Sequence, residues 1–302
     1  MLSQYFSMKS STTACDGCPN QALCASGATC KLDPDILAIT DRLKNVKCKI
    51  LILSGKGGVG KSAVAANLAR ALAANSTIQV GLLDVDICGP SQARILGVEQ
   101  ESVHESGDGW CPIVVKDNIL VMSVAFLLQS RSEAVIWRGA RKNALIKQFL
   151  KDVDWGNLDY LLIDTPPGTS DEHISTVQYL LQASSVDGAI VVTTPQEISL
   201  LDVRKEISFC RKTKINVLGV VENMSSFVCP CCSTVSQLYP RTTGGAEMMC
   251  SELSLPLLVS LPFDGHMTEC ADTGEDYLEK YHDSVLAKGF EKLAQIISKL
   301  CC

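Results

Sequence analysis

One short stretch constrains this chain more than any other. The apolar run Lys49–Leu53 leads straight into Ser54-Gly55-Lys56-Gly57-Gly58-Val59-Gly60-Lys61-Ser62, and an alanine-rich helical pattern follows through Ala74. Glycines let backbone N–H groups converge on an anion, and the N-terminus of the next helix adds partial positive charge. The stretch satisfies G-x-x-x-x-G-K-[ST] in the strand–loop–helix setting which that motif requires. In such a loop Lys61 reaches the β- and γ-phosphates of a nucleotide, and the Ser62 hydroxyl ligates Mg²⁺.

The rest of the chain suits that beginning. Further short apolar runs without polar alternation occur at Gln79–Asp84, Ile119–Val124, Tyr160–Ile163, Gly188–Thr193 and Asn216–Val221. Such runs are expected where both faces of a parallel sheet are covered. Helical patterns separate them at Ser62–Ala74, Arg138–Leu150, His173–Leu181 and Ser199–Lys212. Strand and helix alternate over roughly 220 residues, which predicts a doubly wound α/β domain with a mostly parallel sheet. With 46% hydrophobic and 20% charged residues in 302, the chain can fill a core and is not a disordered one. Its 27 basic against 33 acidic residues argue against a nucleic-acid partner. No apolar stretch approaches the roughly 20 residues needed to span a bilayer.

Fifteen cysteines are the compositional anomaly. The first residues lack the apolar core of a secretory signal, and the only base before Cys15 is Lys9, a poor mitochondrial presequence. The expectation is therefore a reduced, cytoplasmic setting, where clustered thiols point to metal or redox chemistry. Cys48, Cys88, Cys111, Cys210, Cys250 and Cys270 stand singly in or near apolar runs and are expected to be small buried hydrophobes. Residues 1–45 hold Cys15, Cys18, Cys24 and Cys30 without a sustained period, ending in a short amphipathic helix with Ile36, Leu37, Ile39 and Leu43. The expected domains are thus 1–45, a Cys-rich extension, and 46–302, the nucleotide-binding domain.

Two carboxylates end apolar strands. Asp164, followed by Thr165-Pro166-Pro167-Gly168, fits the residue that holds hydrated Mg²⁺, and Gly168 fits a γ-phosphate-sensing switch. The second strand ends in Asp84-Val85-Asp86, where a turn or N-cap role for Asp84 stays open.

Gly55-Lys56-Gly57-Gly58-Val59-Gly60-Lys61-Ser62 carries a second lysine that an ordinary phosphate loop does not need. It resembles the deviant Walker A motif of the MinD, nitrogenase-iron-protein and ArsA class of ATPases. That resemblance implies that Lys56 crosses a dimer interface to the partner's nucleotide, and that Asp86 orients the attacking water. The match narrows at Pro166-Pro167-Gly168-Thr169-Ser170-Asp171-Glu172-His173, Thr194-Pro195-Gln196-Glu197 and Val221-Glu222-Asn223-Met224. These resemble the Mrp/Nbp family of iron–sulfur cluster carrier ATPases over residues 48 to 285. The resemblance implies an adenine contact for Asn223. His173 is read simply as a helix-start residue.

Cys229-Pro230-Cys231-Cys232 follows. By the same resemblance Cys229 and Cys232 are a cluster-binding pair, with Cys231 an extra thiol; a zinc site stays open from the residues alone. A [4Fe-4S] cubane normally takes four cysteines, so one such pair implies sharing across a two-fold axis. Cys15-Asp16-Gly17-Cys18-Pro19-Asn20-Gln21, then Cys24, resembles the ferredoxin-like extension of the larger cytosolic scaffold subunits in that family. It implies a second cluster on Cys15, Cys18 and Cys24, with Cys30 as the nearest fourth thiol because Met1 stands where the family has cysteine.

The resulting expectation is a weak ATPase that uses ATP and Mg²⁺, assembles [4Fe-4S] clusters and passes them to cytosolic or nuclear apoproteins. It would act as a homodimer, or as a heterodimer or heterotetramer with a related P-loop ATPase. The alternative is a MinD-like positioning ATPase with structural zinc at its cysteines. Leu286, Phe290, Leu293, Ile297 and Leu300 form one apolar helical stripe, expected to dock onto the domain rather than a membrane. Cys301-Cys302 is read as a free tail.

Overall fold

The computed structural model describes residues 33–107, 109–128, 139–184, 186–229, 231–232 and 234–301. The Cys-rich residues Cys15, Cys18, Cys24 and Cys30 lie outside them, as does Cys302. One compact unit spans Asp35–Cys302.

Its centre is an eight-stranded sheet. In chain order the strands are β1 (Val46–Leu53), β2 (Val80–Asp84), β5 (Ile113–Lys116), β6 (Ile119–Ser123), β7 (Leu158–Asp164), β8 (Gly188–Thr193), β9 (Val217–Glu222) and β12 (Leu257–Ser260). The short strands β3 (His104–Ser106) and β4 (Gly109–Cys111) form one separate hairpin, and β10 (Phe227–Val228) and β11 (Val235–Ser236) another. Spatially the sheet runs β12-β9-β8-β1-β7-β2-β6-β5, parallel except for the antiparallel edge pair β5–β6. β2 and β8 are buried along their whole length, as strands covered on both faces must be. That is the physical meaning of their unbroken apolar texture.

The chain winds outward from β1 in one direction through β2 and β6, then returns through β7 and continues the other way through β8, β9 and β12. The phosphate loop leaves the carboxyl end of β1, at this reversal, where open α/β sheets form their ligand crevice. The helices are α1 (Pro34–Leu43), α2 (Lys61–Leu72), α3 (Gln92–Ile95), α4 (Gly139–Asp152), α5 (Asp171–Ala183), α6 (Glu197–Thr213), α7 (Gly245–Leu253), α8 (Gly265–Thr273), α9 (Tyr277–Lys280) and α10 (Val285–Leu300). Alanine-rich α2 follows its loop without interruption; Ala65, Ala66 and Ala69 are fully buried. Small side chains with high helical propensity let this helix lie close against the sheet.

The apolar stripe of α10 docks as expected: Leu286, Phe290, Leu293 and Ile297 are buried, and only Leu300 stays half exposed. Helix α1 likewise joins the core through Ile36, Ile39 and Leu43, and Thr40 donates to the Ala183 carbonyl at 2.7 Å. The solitary cysteines divide. Cys48, Cys210, Cys250 and Cys270 are buried as expected, whereas Cys88 and Cys111 are exposed. Cys88 sits in the turn after β2, and Cys111 ends the β3–β4 hairpin; neither turn nor separate hairpin lies within the packed sheet. Cys301 is not a free tail: it is packed against the core and hydrogen-bonded to Cys48. That bond, with burial, pushes the Cys48 thiol up.

Candidate nucleotide and thiol sites

The loop Gly55–Ser62 is shaped by close approach on both sides. A Cβ on Gly55 would lie 2.6 Å from the backbone of Asp202 on α6, and Gly60 holds φ +82°, the left-handed region that glycine favours. Lys61 opens α2, and its ammonium meets the Asp164 carboxylate in a buried ion pair. Gln92 Nε2 donates to the other Asp164 oxygen at 2.6 Å and to the Ser62 carbonyl at 3.1 Å. Phosphate-loop lysine, its serine and the β7 aspartate thus meet in one group, with Lys61 and Asp164 buried and Ser62 half-buried at its edge.

Asp84 lies beside Asp164 in the β2–β7 register and is the hub of the following turn. Its carboxylate accepts from the backbone N–H of Asp86 at 3.0 Å, Ser91 at 3.1 Å and Gln92 at 3.3 Å, and from the Ser123 hydroxyl at 3.1 Å. Burial, with the Asp164 charge behind it, pushes the Asp84 carboxyl up to about 7. The hub presents Asp86 half exposed at the crevice, where Asp86 accepts from the Gly89 N–H at 3.1 Å.

Across the crevice, the Gly168 N–H donates to the Ser54 carbonyl at 2.8 Å, which brings the turn after β7 against the phosphate loop. His173, buried in the first turn of α5, donates from Nδ1 to the Gly168 carbonyl at 2.9 Å. Its other ring nitrogen is therefore the unprotonated one, and burial holds the imidazole below its usual pKa. Glu206 on α6 lies 3.8 Å from Nδ1, and burial pushes its carboxyl up to about 7. A single imidazole after Asp-Glu in the sequence gave no sign of this strut.

Lys56, in this single chain, pairs at 3.0 Å with Asp202 of α6. Asp202 is kept below the ordinary carboxylate range by Lys205 and Lys56. Asn223, fully buried at the end of β9, donates to the Val59 carbonyl of the phosphate loop at 3.0 Å. Its carbonyl oxygen has no hydrogen-bond partner among the described residues. An amide with one end used and one buried end unused suits a polar ligand edge.

The thiols stand apart. β10 and β11 pair antiparallel, and the Cys229 N–H donates to the Thr234 carbonyl at 3.0 Å, closing a hairpin with the cysteines at its tip. Cys229 is half-buried, and Cys231 and Cys232 are exposed. Cys232 Sγ lies 3.2 Å from the Thr234 hydroxyl, and hydrogen bonds from Thr234 and the Cys229 thiol hold the Cys232 thiol below its ordinary pKa. Among the described residues no group of three or more His, Cys, Asp or Glu comes together as a metal site.

Residues 45–298 match the family described as ParA, NUBPL iron-transfer P-loop NTPase. The chain belongs to that family. Among its relatives, the protein named cytosolic Fe-S cluster assembly factor NUBP1 homolog from Brugia malayi is 84% identical over 286 residues, covering 95% of this chain and 92% of that one. The protein of the same name from Caenorhabditis briggsae is 61% identical over 283 residues, covering 94% and 90%. Among solved structures, the nucleotide-binding protein of Archaeoglobus fulgidus in complex with ADP is 34% identical with TM-score 0.69, over 83% of this chain and 98% of that one.

Membership of a P-loop NTPase family agrees with the geometry: the structure gathers Gly55–Ser62, Asp86, Asp164, Gly168 and Asn223 around one crevice, with Cys229 and Cys232 on a separate hairpin. What the sequence did not disclose are the supporting side chains. Gln92, Ser123, Asp202 and Glu206 carry no motif, because they act through contacts between segments distant in the chain.

Proposed function

We propose that this protein is an ATP-hydrolysing scaffold that assembles [4Fe-4S] clusters and hands them to cytosolic and nuclear apoproteins. The relatives' names support the cluster and its cytosolic setting. The observation that carries the reading for this chain is the placing of the thiol pair: Cys229, half-buried, and Cys232, exposed, share the tip of one short hairpin closed by the Cys229 N–H bond to the Thr234 carbonyl. Iron and sulfide are cargo here, and an accessible pair of thiolates suits cargo that must leave.

ATP and Mg²⁺ fit the crevice. Lys61 and Ser62 would hold the phosphates and the ion, with Asp164 opposite; Asp86 would orient water, Gly168 would sense the γ-phosphate, and the unused carbonyl of Asn223 would meet the adenine amino group. Mg²⁺ supplies neutralisation of developing phosphate charge. The buried Asp164 carboxylate, here paired with the Lys61 ammonium, supports a cation-holding role for this position. Lys56 would leave Asp202 and act on the nucleotide of a second copy or a related chain. Two chains would then supply four cysteines to one cubane.

Anaerobic reconstitution with assays for iron, sulfide and zinc tests the cluster. The wild type should hold cluster iron, and C229A/C232A should lose roughly four irons per dimer. C231A should keep most of that iron. Zinc at this site after strictly anaerobic reconstitution would favour the positioning-ATPase alternative. Trans action is tested by mixing K56A with K61A: mixed dimers regain one complete site, and no recovery of hydrolysis in demonstrated mixed dimers defeats it. A second cluster on Cys15, Cys18, Cys24 and Cys30 is proposed for residues outside those described. Because α1 is part of the core, its test is C15A/C18A/C24A in the full chain, which should lose iron while the Cys229/Cys232 cluster stays.

A further inference from the structure

The end of β9 serves two masters through adjacent residues. Asn223 reaches the phosphate loop, donating to the Val59 carbonyl at 3.0 Å, and its amide nitrogen lies 2.3 Å from where a Cβ on Gly60 would stand. Glu222, the residue before it, is fully buried. One Glu222 oxygen accepts from the Arg241 guanidinium at 2.6 Å, and the other accepts from the Ala246 N–H at 3.1 Å, in the first turn of α7. Arg241 follows the cysteine hairpin in the chain, and Asn223 precedes it. Both limbs of the segment that carries Cys229 and Cys232 are therefore fastened to one dipeptide, which itself touches the nucleotide loop.

The two fastenings differ in kind. The outgoing limb continues beside the segment after β12: the Ser225 N–H donates to the Leu261 carbonyl at 2.9 Å and the Phe263 N–H to the Ser226 carbonyl at 2.7 Å. Backbone pairing of this sort fixes the outgoing limb whatever the side chains. The returning limb's ladder is β11 on β10, within the hairpin itself. Two side chains tie it to the body: the Thr243 hydroxyl donates to Glu197 on α6, and Arg241 makes a charge-assisted bond to a desolvated carboxylate, the stronger class. Leaving Glu222 without that partner would strand a buried charge.

Resting on the cluster reading above, we infer that Arg241 is the positioning residue that couples the phosphate loop to the cysteine hairpin. Its bond to Glu222 makes the returning limb follow any movement of β9's end, and Asn223 makes that end follow the phosphate loop. Arg241 touches neither nucleotide nor cluster in this account. It sets where the thiols stand relative to the loop.

Hydrogen exchange on the full, iron-free chain tests this, reading amides at 227–229 and 234–236 with and without a non-hydrolysable ATP analogue. In the wild type the analogue should change hairpin exchange by roughly tenfold, within the ordinary range of coupling between sites. In R241A that ratio should fall to within about twofold of one while analogue affinity stays within about twofold of wild type. R241K should restore part of the response, since an ammonium reaches one carboxylate oxygen without the planar fork of arginine. It also carries the test should R241A fail to fold. An unchanged hairpin response in R241A, or no response in the wild type, overturns the inference. So does loss of analogue binding in both variants, which would make Arg241 a nucleotide ligand. A second arm measures iron release from reconstituted protein, dependent on the analogue in wild type and independent of it in R241A. If the wild type binds no iron at Cys229 and Cys232, the scaffold reading fails while the exchange arm still decides the coupling.

Discussion

Only a few residues of chain separate Asn223, which touches the phosphate loop, from the cysteine hairpin, yet the two sites are built on opposite physical terms. Around Lys61 and Asp164 the charged groups are buried and paired, and the carboxylates of Asp84 and Asp164 are held by donors from the turn after β2, from α2, α3 and β6. Around Cys229 and Cys232 the strands are two residues long, and two of the three thiols are exposed. A site that must recognise the same triphosphate in every cycle gains from a rigid, desolvated frame. A site that loads and unloads cargo gains from being open and locally weak. The contrast teaches that the two halves of the proposed activity place their stability differently, and substitutions can measure that difference.

K61A should have the largest effect. It removes the charge at the phosphates and leaves Asp164 buried without its partner, so hydrolysis should fall by at least about 10²-fold. The nucleotide-free chain should lose about 3–5 kcal/mol as well, read by denaturant unfolding beside phosphate release. A variant as stable as wild type would show that the buried pair does not hold the frame together.

E206Q should come next, and its sign is set by pH. The Glu206 carboxyl is raised to about 7 in the fold from 4.5, so between those values the unfolded chain loses its proton first and stability falls as pH rises. The neutral glutamine should therefore be more stable than wild type above pH 7, by about 3 kcal/mol at most, and equal to it near pH 4. His173 acts the other way: held neutral by burial, it lowers stability as pH drops below its unfolded value. With E206Q the Glu206 slope should vanish, leaving that of His173 and that of Asp84, whose carboxyl is also raised to about 7. Unfolding curves of wild type and E206Q from pH 4 to 8 expose that difference, and identical pH profiles would mean that Glu206 is ionised in the fold.

S123A should cost about 1–2 kcal/mol, since it deletes the hydroxyl that donates to Asp84 and caps the turn at Ala125. Smallest of all, C229A/C232A should stay within about 0.5 kcal/mol of wild type in the iron-free state, as an exposed hairpin tip permits. A cost comparable with K61A would erase the distinction between framed and open sites.

Much of the nucleotide site could be read before any coordinates, because its residues act where the backbone puts them. A strand that ends in glycines and a lysine, and another that ends in Asp164, place their groups at the same sheet edge by register alone. The four central helices and six of the sheet strands were legible for the same reason: 3.6-residue and continuous apolar patterns are local. The edge strands β5 and β12 were not, being short and continuous with charged or proline-flanked segments. Nor were the exposures of Cys88 and Cys111, since hydrophobic character in a run does not say whether the run is covered.

By itself, then, the sequence determined a doubly wound sheet, a phosphate loop at its switch point and a pair of thiols at C-x-x-C spacing; each is a matter of neighbours along the chain. The tertiary structure alone decided which side chains stand behind them. Gln92 on Asp164, Glu206 beside His173, Asp202 on Lys56 and Arg241 on Glu222 are contacts between segments separated along the chain. Their physical basis is the cost of burying a polar group unpaired, a condition that only the packed fold imposes and that no local pattern records.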